Sequence, residues 1–121
     1  MAAKIIIASA VGNTRILIRK MLENNNYNIP REVSALQELL QWALVHKPEV
    51  ILFDINLLEN QKQCAAALRS LKEALPDTHI ICLGAHPEKT LIVAAIQNGA
   101  KTFLPTPIDE KKLLNSIQSL L

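Results

Sequence analysis

Chemistry in this chain begins with one carboxylate. Asp54 closes the run Val50, Ile51, Leu52, Phe53, four apolar residues of which three are β-branched or aromatic. Such a run predicts a strand buried on both faces, with charge arriving only at its carboxyl end. In an open parallel sheet that edge is where ligands gather, so Asp54 is the first residue to explain. Phosphoryl transfer to a carboxylate requires a divalent cation, held by carboxylates and phosphate oxygens, and a fixed positive charge to offset what accumulates. The other residues expected at the same edge are Ser9 and Ala10, Gly84, and Thr106 with Pro107. They offer one hydroxyl and a methyl where metal ligands are wanted, and no ammonium. No cofactor and no magnesium or other metal site is expected on these residue types. His46, His79 and His86 fall at a helix end, a strand start and a loop, which leaves no visible pair of nucleophile and base. No catalytic residue is assigned, and the chain reads as a non-enzyme.

The elements that must position these residues follow from period and punctuation. Lys4 to Ala8 is a β-rich run, and Thr14 to Asn24 recurs at helical spacing through Ile18, Met21 and Leu22. Tyr27 to Ile29 is a weak strand cut short by Pro30, and weak strands belong at sheet edges. Ser34 with Gln37 forms a capping-box pattern ahead of a helix whose stripe is Leu36, Leu39, Leu40, Ala43 and Leu44, closed off by Pro48. After Asp54 comes a loop from Ile55 to Asn60, then a helix through Cys64, Leu68, Leu71 and Leu75, stopped by Pro76. His79 to Leu83 is a further buried strand, broken by Gly84, Ala85, His86 and Pro87. Thr90 to Asn98 is a helix with Gly99 as its left-handed stop, and Lys101 to Leu104 is the last strand. Asp109 caps a final helix, with Ile108 and Leu113 as the two ends of a hydrophobic staple. Strands alternating with helices demand parallel pairing, right-handed crossovers and helices on both faces. The expected fold is therefore α/β, a five-stranded parallel sheet in the order 2-1-3-4-5, doubly wound with five helices. Its switch point lies between the first and third strands, beside Ser9, Ala10 and Asp54.

Composition narrows the function. The 121 residues suit one domain spanning 1–121, and at 50% hydrophobic they suffice for a real core. Tyr27, Trp42, Phe53 and Phe103 are too few aromatics for a stacked-base or flavin site. The net charge is +2, and Arg15, Arg19 and Lys20 on one helix and Lys111 and Lys112 on another read as solvated surface, not as a nucleic-acid footprint. Cys64 and Cys82 lack metal-ligand spacing and read as small core residues. Met1, Ala2, Ala3 and Lys4 followed by Ile5 to Val11 imitate a secretory signal, but the same residues are needed as the first strand. No segment reaches the roughly twenty apolar residues of a membrane span. A cytoplasmic chain with neither membrane nor nucleic-acid partner is expected.

Over essentially its whole length the chain resembles the receiver domain of bacterial two-component response regulators, a flavodoxin-like fold. The residues that carry the resemblance are Val50 to Asp54 with Asn56, the stretch Ala94 to Lys101, and Thr106 with Pro107 ahead of a capped helix. The resemblance implies that Asp54 occupies the phosphoacceptor position and Asn56 the position of a backbone ligand to magnesium. It also implies a degenerate reaction centre. Ser9 and Ala10 stand where the family has two acids, Gly84 where it has Ser or Thr, and Thr106 where it has Lys before a Pro usually joined in cis. Leu57 and Leu58 replace the usual Met and Pro. Phe103 holds the position of the switch aromatic, but Gly84 has no hydroxyl to move with it.

The leading expectation is a pseudo-receiver that signals by protein contact without phosphorylation. The contact face implied by the family is the fourth helix, fifth strand and fifth helix, here Lys89, Ile92, Ala95, Phe103, Lys111 and Lys112. That face would meet a partner protein or a second copy. An alternative is an anion or nucleotide sensor, because Ser9, Gly12, Asn13 and Thr14 lie in a stretch that resembles the phosphate-binding loop of flavodoxins. A third is a residual phosphoacceptor at Asp54, set against the plainer role of capping the turn that follows it.

Overall fold

The computed structural model describes residues 3–57, 61–85 and 88–121. Met1, Ala2, Leu58, Asn60, His86 and Pro87, which the sequence reading used, lie outside the described residues. Strands β1 (Lys4–Ala8), β2 (Asn28–Val33), β3 (Val50–Asp54), β4 (His79–Gly84) and β5 (Ala100–Pro105) alternate with helices. These are α1 (Gly12–Glu23), α2 (Leu36–His46), α3 (Gln61–Ala74), α4 (Lys89–Gln97) and α5 (Glu110–Leu120). The strands pair in parallel in the order β2-β1-β3-β4-β5, as the alternation of elements requires.

The two-residue period of the central strands divides the core between the sheet's two faces. Ile6, Ala8, Ile51, Phe53, Ile80 and Cys82 point to one face, where Leu39 of α2, Leu68 of α3 and Ala95 of α4 cover them. Ile5, Ile7, Val50, Leu52, Ile81 and Leu83 point to the other, under Ile18 and Leu22 of α1 and Leu113 and Ile117 of α5. Every residue of β3 is buried, so its carboxyl end emerges from apolar packing on both sides. Each large aliphatic or aromatic side chain enclosed in this way contributes about 1.5–3 kcal/mol.

Local differences from the sequence reading have physical causes. Pro30 does not end β2, which runs on to Val33. The register between β1 and β2 slips between the pairs Lys4–Asn28 and Ile6–Arg31, the interval that holds Ile29 and Pro30, and a residue without an N–H is tolerated on an edge strand. The capping box at Ser34 does not form: α2 starts at Leu36 with Ala35 as an extended N-cap that makes no side-chain cap bond. The segment after β3 is not all loop, since Ile55–Leu57 winds into a 3₁₀ turn. Asp109 caps α5 by accepting from the Lys112 N–H at 3.2 Å, and Ile108 and Leu113 join the same apolar cluster. Gly99 takes φ +119° after α4, where a Cβ would approach Lys72 Cγ to 2.5 Å. Lys72 is fixed across it by bonds to the carbonyls of Pro76 and Thr78.

Candidate functional site

Backbone pairing brings the candidate residues to one edge. Ser9 continues β1 by one residue, its N–H donating to the Val33 carbonyl at 3.0 Å, and this fixes its side chain beside the end of β3. The Ser9 hydroxyl donates to Asp54 Oδ2 at 2.7 Å and accepts the Val11 N–H at 3.1 Å. The Asn56 N–H donates to Asp54 Oδ1 at 2.9 Å, closing the turn after β3. Both carboxylate oxygens are thus held by neutral donors, and Asp54 and Ser9 are buried. Asn56 and Ala10 are exposed. The Arg15 guanidinium reaches back from α1, but it bonds the Ser9 carbonyl and Glu32, not Asp54.

At the end of β4 the space around Gly84 is already filled. A Cβ on Gly84 would come within 2.7 Å of Ile55 Cγ1 and 3.4 Å of Phe103 Cζ. A hydroxyl-bearing residue therefore meets an apolar side chain there before it meets Asp54. The sequence reading missed Ile55, and the signal available was a bulky apolar residue directly after Asp54 matched by a glycine at the end of β4. Thr106 donates its N–H to the Gly84 carbonyl at 3.0 Å, and the Thr106–Pro107 peptide is cis.

Other candidates are placed elsewhere. Asn13 and Thr14 line a groove of about 110 Å³ with Leu17, Met21, Thr106 and Ile108, while the Ser9 hydroxyl of the same loop is turned to Asp54. Of the contact-face residues, Ala95 is fully buried and belongs to the core, because it packs under α4 against the sheet. Ile92 and Phe103 are half-buried, and Lys89, Lys111 and Lys112 are exposed. His46 stacks on Trp42 with ring centroids 5.9 Å apart, and the Nδ1 atom of His79 is buried without a hydrogen-bond partner among the described residues. Cys64 and Cys82 are unpaired and buried, and burial pushes both thiols up, Cys82 further with Cys64 adding to it.

The donor set can be tested against a magnesium ion, which demands several hard, preferably anionic, oxygens in octahedral array. Asp54 supplies one carboxylate whose two oxygens are engaged, Ser9 a hydroxyl that already donates and accepts, and Ala10 a methyl. The residues present do not fit the ion. Among the described residues there is no group of three or more His, Cys, Asp or Glu side chains that could hold a metal.

The family profile of the response regulator receiver domain matches residues 5–118. The chain belongs to the response regulator receiver domain family. The chemotaxis protein CheY of Bacillus subtilis is 26% identical to this receiver over 121 residues, covering 100% of this chain and 99% of its own. The transcriptional regulatory protein SrrA of Staphylococcus aureus is 30% identical over 122 residues, where the match takes in 48% of SrrA. A response regulator from Thermotoga maritima superposes with a TM-score of 0.87 at 20% identity, over 99% of this chain and 98% of that one. The receiver domain of AraT from Geobacillus stearothermophilus gives 0.85 at 23% identity, over 99% and 93%. The receiver fold is common to them all, and this chain is a receiver module of two-component signalling.

Proposed function

We propose that this receiver is a pseudo-receiver, a module that signals by protein contact and does not depend on phosphorylation of Asp54. The observation that carries the reading is the 2.7 Å bond from the Ser9 hydroxyl to Asp54 Oδ2. A neutral donor occupies the carboxylate where the family's chemistry requires a cation, so the charge of an incoming phosphoryl group has nothing to balance it. The Ile55 side chain against Gly84 supports the same reading, since it takes up the room a switching hydroxyl would need. The module is a non-enzyme on this account, and Asp54 serves as the cap of the turn at Asn56.

The contact face is assigned to α4, β5 and α5, with Lys89, Lys111 and Lys112 exposed and with Val93 and Ile96, 44% and 49% exposed, taking the place of Ala95. No nucleic-acid role is assigned to this domain, and no described helix is long and apolar enough to cross a membrane. A cytoplasmic setting belongs to the reading, because two unpaired thiols in the core suit a reducing compartment. An anion at the Ser9–Thr14 loop is disfavoured, because it would approach a buried carboxylate through a hydroxyl that is already donating.

The experiment is incubation with acetyl phosphate and magnesium followed by intact-mass measurement. The expected spectrum is that of the unmodified chain. A phosphoryl adduct that disappears in Asp54→Asn overturns the reading in favour of a working acceptor.

A further inference from the structure

We propose that Asn98 is a site of covalent modification, converting spontaneously to aspartate and isoaspartate through a cyclic imide, and that the last turn of α4 holds it closed. Asn98 is the only asparagine of the sequence that glycine follows. In that dipeptide no side chain shields the amide nitrogen after the asparagine, so it reaches the side-chain carbonyl carbon most readily. The Gly99 nitrogen attacks Asn98 Cγ, the bond from Cγ to Nδ2 breaks, and the proton of the Gly99 amide leaves with Nδ2 as ammonia. Water then opens either carbonyl of the ring. The product is aspartate or, with an extra methylene in the main chain, isoaspartate. Water is the only co-reactant.

The backbone requires glycine at this point. Gly99 has φ +119°, and a Cβ on it would lie 2.5 Å from Cγ of Lys72, which is itself tied to the carbonyls of Pro76 and Thr78. The reactive dipeptide is therefore built into the fold, and both of its reacting groups are held. Asn98 Nδ2 donates to the Ala94 carbonyl at 2.7 Å, which turns the side chain back along α4. The Gly99 N–H donates to the Ile96 carbonyl at 3.3 Å, and the Asn98 N–H to the Ala94 and Ala95 carbonyls at 3.1 and 3.2 Å. Ring closure requires the bonds of Nδ2 and of the Gly99 N–H to break, and the last turn of a helix opens without the rest of the molecule. Conversion also opposes re-closure. It replaces an amide donor with a carboxylate at the negative end of α4, where neither the Ala94 carbonyl nor the helix dipole favours one.

Peptide mapping of the full chain during incubation in mildly alkaline buffer, with aspartate and isoaspartate resolved at Asn98, tests this. Conversion is expected to be at least about tenfold slower in the native chain than in the same chain unfolded in urea, a ratio that one or two hydrogen bonds impose. Gln97→Gly, an exposed change that weakens the last turn, should speed conversion of the native chain about two- to threefold and leave the rate in urea unchanged. Ile117→Val on α5 lowers global stability from the other face of the sheet and should leave the native rate as it is. Equal rates in the native and unfolded chains overturn the proposal, as does an Asn98 that stays intact in urea. So does a native rate that rises as much with Ile117→Val as with Gln97→Gly, since global unfolding would then be the gate.

Discussion

Glu32 and Asp54 are two carboxylates on either side of β1, and the chain treats them in opposite ways. Glu32, on β2, is gripped by Arg15 at 3.4 Å and by Arg19 more closely. Hydrogen bonding to Glu32 raises the Arg19 guanidinium above its ordinary value. Asp54, 2% exposed, is bonded among the described residues only by a hydroxyl and a backbone N–H. Cations are therefore not scarce near this edge, but they are one strand away from the carboxylate that would need them. An acceptor of phosphate needs positive charge at its own oxygens. On the proposed reading, Asp54 keeps an acceptor's position without an acceptor's electrostatic surroundings.

Putting an acid back beside Asp54 is the harshest test of that contrast. Ser9→Asp places a second carboxylate against a buried one with no cation between them, and this should cost on the order of 3–5 kcal/mol. Magnesium should recover part of the loss, because two adjacent acids form the oxygen-rich site that the native residues do not. Urea denaturation with and without magnesium measures both effects. A variant as stable as the native chain in the absence of metal would mean that Asp54 is not the isolated charge described above.

The next largest effect is expected at Gly84. Gly84→Thr drives its Cβ to within 2.7 Å of Ile55 Cγ1, and overpacking of this kind costs about 1–3 kcal/mol. Ile55→Ala is destabilising alone but should make Gly84→Thr nearly neutral in its background, a coupling that a double-mutant cycle reads directly. Independent, additive losses would show that Ile55 does not fill the place of a lost side chain.

These residues also show what a sequence discloses. The strand order was legible because Val50 to Phe53 and its neighbours bury both faces, and burial on both faces leaves a continuous apolar run. The cap at Asp109 was legible because a cap bond is local, whereas the box at Ser34 depended on where α2 begins, which tertiary packing decides. At the site, the residue types Ser9, Ala10 and Gly84 could be read directly, and with them the absence of a hydroxyl at Gly84 and of an acid at Ser9 and Ala10. The Ser9 bond to Asp54 and the Ile55 contact with Gly84 could not be read in that way. They join residues far apart in the chain at distances set by β-sheet register, and no local pattern encodes them. Ala95 was misplaced for the same reason, because on an apolar helix such as α4 the spacing alone does not say which side meets the sheet.

Raising the pH tests the core instead of the carboxylates. Burial holds the Cys82 thiol far above its ordinary value, so the folded chain keeps its proton while the unfolded thiol loses it near pH 8.5. The unfolded state then binds fewer protons, and stability present in full below about pH 8.5 falls above it by up to about 1.4 kcal/mol per pH unit. Denaturation midpoints at rising pH should show this decline, and Cys82→Ala should flatten it. A decline of equal slope in that variant would assign the titration to another group.

The smallest effect closes the comparison, because salt separates the two carboxylates where total stability barely does. Glu32→Gln removes the charge that two guanidinium groups share at a partly exposed site, with Arg19 43% and Glu32 19% exposed in their side chains. Solvent screens such pairs, so the loss should be about 0.5–1 kcal/mol at low ionic strength. It should shrink toward zero in molar salt, where the screening length falls to about 3 Å. Asp54→Asn should behave otherwise. Its cost is that of a mismatched hydrogen bond inside the protein, which salt does not reach, so it should be the same at both ionic strengths. Equal salt dependence in the two variants would mean that a cation attends Asp54 after all, and the contrast between the two carboxylates would collapse.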